Sequence, residues 1–298
     1  MNNNVAIVVV TYNRKDLLIE NLKSLKAQTY SDFDIYVIDN ASTDGTKDAI
    51  AQFVSNNTFY VNTGSNLGGA GGFKYGIKHA LQNSSYKYIW IMDDDTIPEQ
   101  DALESLIHKA DILNGEFSYL SSVVKWIDGS ACLMNLQIVD SMTTKNLYAL
   151  SNGLLQIKQA SFVSCLIDCA AINEVGLPIS EFFIYGDDVE YTERLGKYKP
   201  GFLDVDSIVI HKMKTNVNTS IVSCDPERIS RYKFQIRNYV FMAKKNGLKG
   251  IVKNFIYNCK LFNHIIHKSK SYKWRRIRVL ITGVAEGIAF NPRIEKTL

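Results

Sequence analysis

Three adjacent aspartates have the spacing and the chemical type to bind a cation. Asp93, Asp94 and Asp95 follow the apolar run 89–92, and neighbouring carboxylates repel one another unless a cation lies between them. Residues 93 and 95 of an extended or turning backbone can face the same way, so Asp93 and Asp95 are predicted to share a Mg²⁺ or Mn²⁺ ion. A solvated acidic loop, placed before a helix that Pro98 opens, is the alternative.

A second acidic cluster begins a predicted helix after an aromatic run. Asp187, Asp188 and Glu190 could supply a general base that removes a proton from an acceptor hydroxyl. Helix caps and dipole partners are the alternative reading of the same residues. His211 ends a short apolar strand and could complete a metal site as a neutral imidazole, or could be structural.

Glycines are concentrated in residues 66–72. Such a stretch lets the backbone approach a ligand closely or take a positive φ, and here it leads into a helix predicted near residues 73–81. Helix N-terminal amides attract anions, although no Gly-Lys-Ser/Thr follows as in a phosphate-binding Walker loop. A tight structural turn is the alternative.

The first half of the chain alternates strands with helices. Buried strands are predicted at residues 5–10, 33–38, 58–61 and 88–92. Asn13 is expected to cap the first helix, and the second helix is expected to run to about Val54. This order predicts a parallel sheet, in which ligands bind beyond the carboxyl ends of the strands. The polar clusters at 11–14, 39–40, 66–72 and 93–95 all fall there, which predicts one shared site.

These motifs together resemble the family 2 glycosyltransferases, and in particular the branch that holds bacterial galactofuranosyltransferases and rhamnosyltransferases. The resemblance covers about residues 5–212. It rests on VVTYNR (9–14), IDNASTDG (38–45), NLGGAGGF (66–73), WIMDDD (90–95), FIYGDDVEY (183–191) and His211. It implies the GT-A fold of nucleotide-diphospho-sugar transferases: an α/β domain with a mostly parallel central sheet flanked by helices. That domain is expected over residues 1–225, with a C-terminal helical extension over residues 226–298.

The resemblance also implies roles for individual residues. The donor nucleotide and its diphosphate would be held by Thr11, Asn13, Arg14, Asp39, Asn66, Gly68, Gly69, Asp93 and Asp94. Asp93, Asp95 and His211 would bind the metal ion, and Asp188 would be the catalytic base, with Asp187 and Glu190 orienting donor or acceptor. Arg237 and Asn238 also match a feature of the family, to which no chemistry is assigned.

The implied reaction is an inverting, metal-dependent sugar transfer. The first expectation is galactofuranose from UDP-galactofuranose, moved to a hydroxyl of a lipid-linked glycan in cell-envelope polysaccharide synthesis. A rhamnosyltransferase using dTDP-rhamnose and a non-catalytic nucleotide-sugar-binding module are alternatives, although such a module should have lost the base or the metal pair. A dinucleotide oxidoreductase needs its glycines directly after the first strand, where residues 11–14 stand instead. A metal-dependent phosphoryl transferase or nuclease could use the same carboxylates.

Composition is that of a folded globular protein, with 298 residues of which 46% are hydrophobic and 21% charged. The five cysteines form no CxxC pair, and Cys165 and Cys169 lie in an apolar run. Buried thiols and a reducing compartment are therefore expected. The sequence shows no signal peptide and no run of 18 apolar residues, which predicts a cytoplasmic protein at the inner face of the membrane.

The C-terminal part of the chain is strongly basic. From Lys244 onward it has 13 lysines and arginines and two acidic residues, whereas the whole chain has a net charge of +4. Apolar residues recur among these lysines at helical spacing, and Trp274 stands beside Arg275 and Arg276. Peripheral contact with anionic membrane through residues 249–298 is predicted. A helical cover or homo-oligomer contact is the alternative, and nucleic acid is disfavoured because the apolar content is too continuous.

Overall fold

A mixed nine-stranded sheet forms the centre of the computed structural model, which describes residues 4–217 and 220–297. Its strands are β1 (Val5–Thr11), β2 (Phe33–Asp39), β3 (Thr58–Asn62), β4 (Tyr88–Asp93), β5 (Thr96–Pro98), β6 (Tyr119–Trp126), β7 (Leu154–Ile157), β8 (Cys165–Asp168) and β9 (Gly201–His211). Every residue of β1 is buried, because helices cover both faces of this strand.

The strand order is β3-β2-β1-β4-β8-β6-β9-β5, and β7 also pairs with β9. The four strands predicted from the first half of the sequence, β1 to β4, pair in parallel as expected. The second half adds both kinds of pairing: β8 is antiparallel to β4 and β6, β6 is parallel to β9, and β5 and β7 are antiparallel to β9.

Helices lie on the two faces of the sheet, and three further helices follow at the C-terminal end of the described residues. They are α1 (Lys15–Lys26), α2 (Thr46–Ala49), α3 (Gly68–Asn83), α4 (Ala102–Leu113), α5 (Leu147–Ser151), α6 (Cys169–Val175), α7 (Asp187–Tyr198), α8 (Tyr232–Lys245), α9 (Gly247–Lys268) and α10 (Lys273–Ala289). One apolar core contains Leu18 and Leu22 of α1, and a second, on the other face, contains Phe73 and Ile77 of α3.

Two local predictions were wrong. Pro98 does not open a helix; it ends the short strand β5, and α4 begins only at Ala102. The second helix does not reach Val54, since α2 ends at Ala49 and a 3₁₀ turn follows at Ala51–Phe53. β5 forms because β9 offers it a partner strand distant in sequence, a contact that local patterns do not reveal.

The C-terminal helices confirm the predicted helical character of the region after Pro226, and they share a separate small core that includes Ile236, Leu261 and Leu280. Only the second half of α9 contributes to that core. Its first half leaves a stripe exposed at the surface, which consists of Leu248, Ile251, Val252, Phe255 and Ile256. No helix within residues 4–217 and 220–297 combines the length and apolar character needed to cross a bilayer.

Candidate active site at the carboxyl ends of the strands

The carboxyl ends of three parallel strands meet at one edge of the sheet. Thr11 at the end of β1 is in register with Asp39 of β2, and the preceding residue, Val10, is in register with Asp93 of β4. The predicted donor-side residues Thr11, Asp39 and Asp93 are therefore neighbours, as the parallel arrangement requires.

Asp94 is held against the end of β1. It is 3% exposed, accepts a hydrogen bond of 2.7 Å from the Thr11 hydroxyl, and lies 3.4 Å from the guanidinium of Arg14. Burial raises the pKa of Asp94 to about 6, against the opposing positive charge of Arg14. Asp94 thus joins the β1 end to the loop that carries Arg14.

Asp95 contacts one cationic side chain and one imidazole. Its carboxylate lies 2.5 Å from Arg14 and 3.1 Å from Nε2 of His211. Burial alone would raise the pKa of Asp95, but the hydrogen bond and charge of His211, together with Arg14, outweigh burial and lower it. The pairing of Thr96 with His211 in the β5–β9 ladder explains how a residue 116 positions away reaches Asp95.

Asn135 orients the imidazole of His211, a role that no pattern in the sequence indicates. Its Oδ1 lies 2.8 Å from Nδ1 of His211. Since an amide oxygen only accepts, Nδ1 carries the proton, and Nε2 is the nitrogen that faces Asp95. An imidazole held in this way can present Nε2 to a cation.

Asp93 lies near the other carboxylates but is not hydrogen-bonded to His211. Burial and the negative charges of Asp95 and Asp94 raise its pKa well above the ordinary carboxyl value. Among the residues that the structure describes, no three His, Cys, Asp or Glu side chains converge as a metal site. The structure therefore brings Asp95 and His211 together and leaves Asp93 beside them. A divalent cation fits this donor set chemically, because carboxylate and imidazole ligands are available and the crowded negative charge favours a cation.

Hydrogen bonds fix the surroundings of Asp39, one of the residues predicted to hold the donor nucleotide. This buried carboxylate accepts a hydrogen bond of 2.8 Å from the amide of Ser42 and one of 2.6 Å from the hydroxyl of Tyr60. Burial and the Asp39 carboxylate raise the pKa of Tyr60 to about 12, so Tyr60 stays a donor. Both contacts fix the loop after β2.

Asn13 does not cap the first helix, contrary to the sequence-based expectation. Arg14 occupies the cap position of α1, and Asn13 has φ of 54°. Its side-chain oxygen instead accepts 2.7 Å from the amide of Thr43, while Asp44 accepts from the amide of Lys15 at 3.1 Å. The cap is thus supplied from the loop after β2, which ties the two donor-side loops together.

The glycine stretch lies inside a helix rather than before it. α3 begins at Gly68, where Asn66 accepts 2.9 Å from the Gly68 amide, and it continues to Asn83. Glycine is required because α3 packs closely on the sheet: a Cβ at Gly72 would lie 2.6 Å from Val10. At Gly69 the added Cβ would meet open space, so close packing does not explain this glycine.

The paired acids follow a segment of unusual backbone. Phe183 has φ 63° and ψ −58°, and the amide of Ile184 donates 2.7 Å to the carbonyl of Phe182. This is the rare positive-φ γ-turn, which is strained. Tyr185 and Gly186 also have positive φ. At the non-glycine residues Phe183 and Tyr185 such a backbone costs about 1–3 kcal/mol each, and it persists only where the surroundings hold it.

Asp187 and Asp188 open α7 directly after this segment, as predicted. Burial raises the pKa of both carboxyls, and the charge of Asp188 adds to the shift at Asp187. The negative charge of Asp187 also contributes to the raised pKa of Asp93. The two acidic clusters therefore lie within electrostatic range across one site.

Glu190 has an internal partner instead of facing the site. Its carboxylate pairs twice at 3.0 Å with Arg194, whose guanidinium also donates to the carbonyls of Val175 and Leu177. Both side chains are largely buried. This geometry gives Glu190 a role in packing α7 and departs from the expectation that it orients donor or acceptor.

A small pocket lies beside Asp188. Polar side chains of Gln137, Gln159 and Ser161 line it together with Asn135. Neither segment carried a sequence signal, because single glutamines and serines in loops are common. The pocket borders Asp188 on the side of Asn135.

Comparison with known families finds a match in the first part of the chain. The sequence model of Glycosyl transferase family 2 matches residues 6–130. This part of the chain is therefore similar to the family 2 glycosyltransferases. The matched range includes Thr11, Asp39 and Asp93, whereas Asp188 and His211 lie beyond it.

One curated family 2 relative agrees with the resemblance to the galactofuranosyltransferase branch. Galactofuranosyltransferase GlfT1 of Mycobacterium tuberculosis (strain ATCC 25618 / H37Rv) is 31% identical over 218 residues, which is 65% of this chain and 65% of GlfT1. The chain therefore matches slightly less than two thirds of the length of that relative.

Solved structures confirm the predicted GT-A fold. The mannosyltransferase PcManGT from Pyrobaculum calidifontis, in complex with GDP-Man and Mn²⁺, superposes with a TM-score of 0.53 at 16% identity, covering 98% of this chain and 76% of that one. S. aureus TarS 1–349 in complex with UDP-GlcNAc gives a TM-score of 0.54 at 14% identity, covering 96% and 73%. At these identities the likeness concerns the fold.

Proposed function

We propose that this protein transfers a sugar from a nucleoside diphosphate to a hydroxyl group of a glycan acceptor, with inversion at the anomeric carbon. The observation that carries this proposal is the packing of the first turn of α3 on the segment before Asp187, where the amide of Ala70 donates 3.2 Å to the carbonyl of Phe183. This contact brings the predicted donor-side and acceptor-side residues together. A transferase of this kind needs both groups of residues within reach of one donor sugar.

Asp188 serves as the general base in this proposal. The acceptor oxygen attacks the anomeric carbon while the bond from that carbon to the diphosphate breaks, and Asp188 takes the proton from the acceptor hydroxyl. Burial raises the pKa of Asp188, which makes it a stronger base than an exposed carboxylate. The pocket that contains Gln137 and Ser161 receives the acceptor. One displacement gives inversion.

The donor lies across the strand ends. The nucleotide and its diphosphate are held by Thr11, Asn13, Arg14 and Asp39, and Asp94 fixes Arg14. Asn66 and the first turn of α3, at Gly68 and Gly69, lie along the sugar. A Mn²⁺ or Mg²⁺ ion, when bound, would stabilise the charge of the leaving diphosphate. Asp93 and Asp95 would hold it, with His211 as a further ligand oriented by Asn135. The Mn²⁺ named with PcManGT supports this choice of metal.

The donor we propose is UDP-galactofuranose, supported by the 31% identity to GlfT1. dTDP-rhamnose is the competing donor. The experiment is a transfer assay with a donor panel that contains both, with the anomeric configuration of the product read by NMR. Transfer from UDP-galactofuranose with inversion is the expected outcome. Transfer from another donor would contradict the assignment of UDP-galactofuranose. A product with retained anomeric configuration would contradict the single displacement.

We further propose that residues 226–298 form an extension that docks on anionic membrane at the cytoplasmic face, where a lipid-linked acceptor would lie. The exposed stripe of α9 supports this: Phe255 is 67% exposed and Leu248 is 77% exposed, with Lys249 and Lys253 beside them. Trp274, at the start of α10, is 84% exposed. Apolar side chains flanked by lysines and an exposed tryptophan suit the interface of an anionic bilayer.

A further inference from the structure

The side-chain amide of Asn238 contacts three backbone carbonyls of the segment before the paired acids. Its nitrogen lies 2.8 Å from the carbonyl oxygen of Tyr185, 3.1 Å from that of Phe182 and 3.2 Å from that of Ile184. Asn238 is fully buried in α8. It therefore contacts the backbone on both sides of the strained γ-turn at Phe183.

Arg237 fixes which end of that amide faces the segment. Its guanidinium donates to Oδ1 of Asn238 at 3.0 and 2.9 Å. Arginine has no acceptor, so the atom facing it must be the oxygen and the nitrogen must face the carbonyls. The amide orientation thus follows from chemistry and not from the placement of two similar atoms.

Arg237 is itself held in place and adds a second contact. Its guanidinium lies 5.0 Å from the ring centre of Phe234 and 4.1 Å from that of Phe290. It also donates to the carbonyls of Glu181 and Phe182. Arg237 and Asn238 together bind four carbonyls from residues 181–185.

The opposite side of the segment is held by α3. The amide of Ala70 donates 3.2 Å to the carbonyl of Phe183, the one carbonyl of residues 181–185 that α8 does not bind. The positive-φ backbone is therefore fixed between α8 and the first turn of α3.

We propose that Asn238, oriented by Arg237, is the positioning residue that holds the strained segment 182–186 and so places Asp187 and Asp188 in the site. The proposal rests on the proposed function for the role of Asp188, but the holding of the segment can be measured without it. It also gives the C-terminal helices a part in the site, because Asn238 lies in α8.

Hydrogen exchange of the full-length protein tests the contact directly. Asn238→Asp keeps the shape of the side chain but leaves no donor for the carbonyls, and Asn238→Ala removes the amide. Both are expected to speed exchange in residues 183–190 by at least about tenfold, because the segment loses its donors. Asn258→Asp, the same change on α9, and Val240→Ala, which loosens the packing of α8 on Gly287, should leave that segment unchanged.

Two outcomes would overturn the proposal. One is unchanged exchange in residues 183–190 of both Asn238 variants; the other is faster exchange there that Val240→Ala reproduces, since the segment would then respond to general loosening.

A second readout tests positioning against a merely structural role. Binding of UDP with Mn²⁺ should change less than about threefold in Asn238→Ala, while the turnover number for sugar transfer falls at least about tenfold, since only the base side is displaced. Turnover within about twofold of wild type, despite faster exchange, would show that the segment does not place the base. Absence of transfer in the wild-type protein would count against the proposed function alone, because exchange still decides the contact.

Discussion

Gly68 of α3 lies directly against the backbone carbonyl of Phe183. A Cβ at Gly68 would overlap the carbonyl oxygen, and Gly68 has φ of 72°, which other residues rarely adopt. The glycine stretch on the donor side and the γ-turn on the acceptor side are therefore packed against each other. A change at either is transmitted to the other by direct contact.

Gly68→Ala should damage both sides of the site. The strained φ and the overlap with Phe183 predict a loss of about 1–3 kcal/mol in the free energy of unfolding and at least a tenfold loss of transfer activity. Gly196→Ala is the matched control, because Gly196 has an ordinary φ in α7 and open space around it. Denaturant unfolding and a transfer assay measure both effects. A Gly68→Ala protein as stable and active as Gly196→Ala would contradict the packing described.

For Glu190, the role implied by the family resemblance differs from the role that the geometry indicates. Its paired contact with Arg194 predicts that Glu190→Gln loses about 1–3 kcal/mol of stability, because Arg194 keeps a largely buried charge with a weakened partner. Turnover of the folded enzyme should stay within about threefold of wild type. A large fall in turnover without loss of stability would instead place Glu190 among the residues that contact substrate.

Metal binding can be followed by thermal unfolding in the presence of UDP. Mn²⁺ is expected to stabilise the wild-type protein by about 1–3 kcal/mol, by mass action on the folded state. Asp93→Asn and Asp95→Asn should remove that increment. Asp206→Asn, a change at an exposed carboxylate paired with Lys109, should keep it. An increment that persists in the Asp93 and Asp95 variants would place the metal elsewhere.

The sequence predicted the parallel strands and the two acidic clusters because these are local patterns: apolar runs followed by polar residues. It did not predict Asn135 beside His211, nor the donors from Asn238 to residues 182–185. Both depend on contacts between segments far apart in the chain. The start of α3 was also misplaced, because glycines disfavour a helix locally, whereas the close packing of Gly68 on Phe183 and of Gly72 on Val10 depends on contacts distant in sequence.

The pH dependence of transfer follows from the raised pKa values of the paired acids. Asp188 must be ionised to accept a proton, so activity should fall as the pH falls, with a midpoint above the ordinary carboxyl range. Burial alone raises the pKa of Asp188, so Asp187→Asn should leave the midpoint nearly unchanged. The turnover number at saturating donor, measured against pH, gives both midpoints. A wild-type midpoint at or below about pH 4 would argue against Asp188 as a buried base.

Membrane docking predicts flotation with vesicles that contain phosphatidylglycerol and not with phosphatidylcholine alone. The double variant Leu248→Asn/Phe255→Ser should lose flotation, since it removes two side chains of the exposed stripe. Leu147→Asn/Tyr148→Ser changes two equally exposed side chains on α5 and should float as wild type does. Failure of the wild-type protein to float would rule out the membrane surface, and dimerisation through α9 would then be the explanation to measure.

Donor turnover in Asp188→Asn tests the central claim most directly. The measurement is release of nucleoside diphosphate from the active donor with Mn²⁺ and acceptor, beside donor binding by calorimetry, with Glu193→Gln on the same helix as control. We predict that Asp188→Asn binds the donor nearly as tightly as wild type and loses at least about a hundredfold in turnover, whereas Glu193→Gln keeps both. Asp188→Asn with near wild-type turnover would contradict the account, as would a wild-type protein that binds no nucleotide sugar.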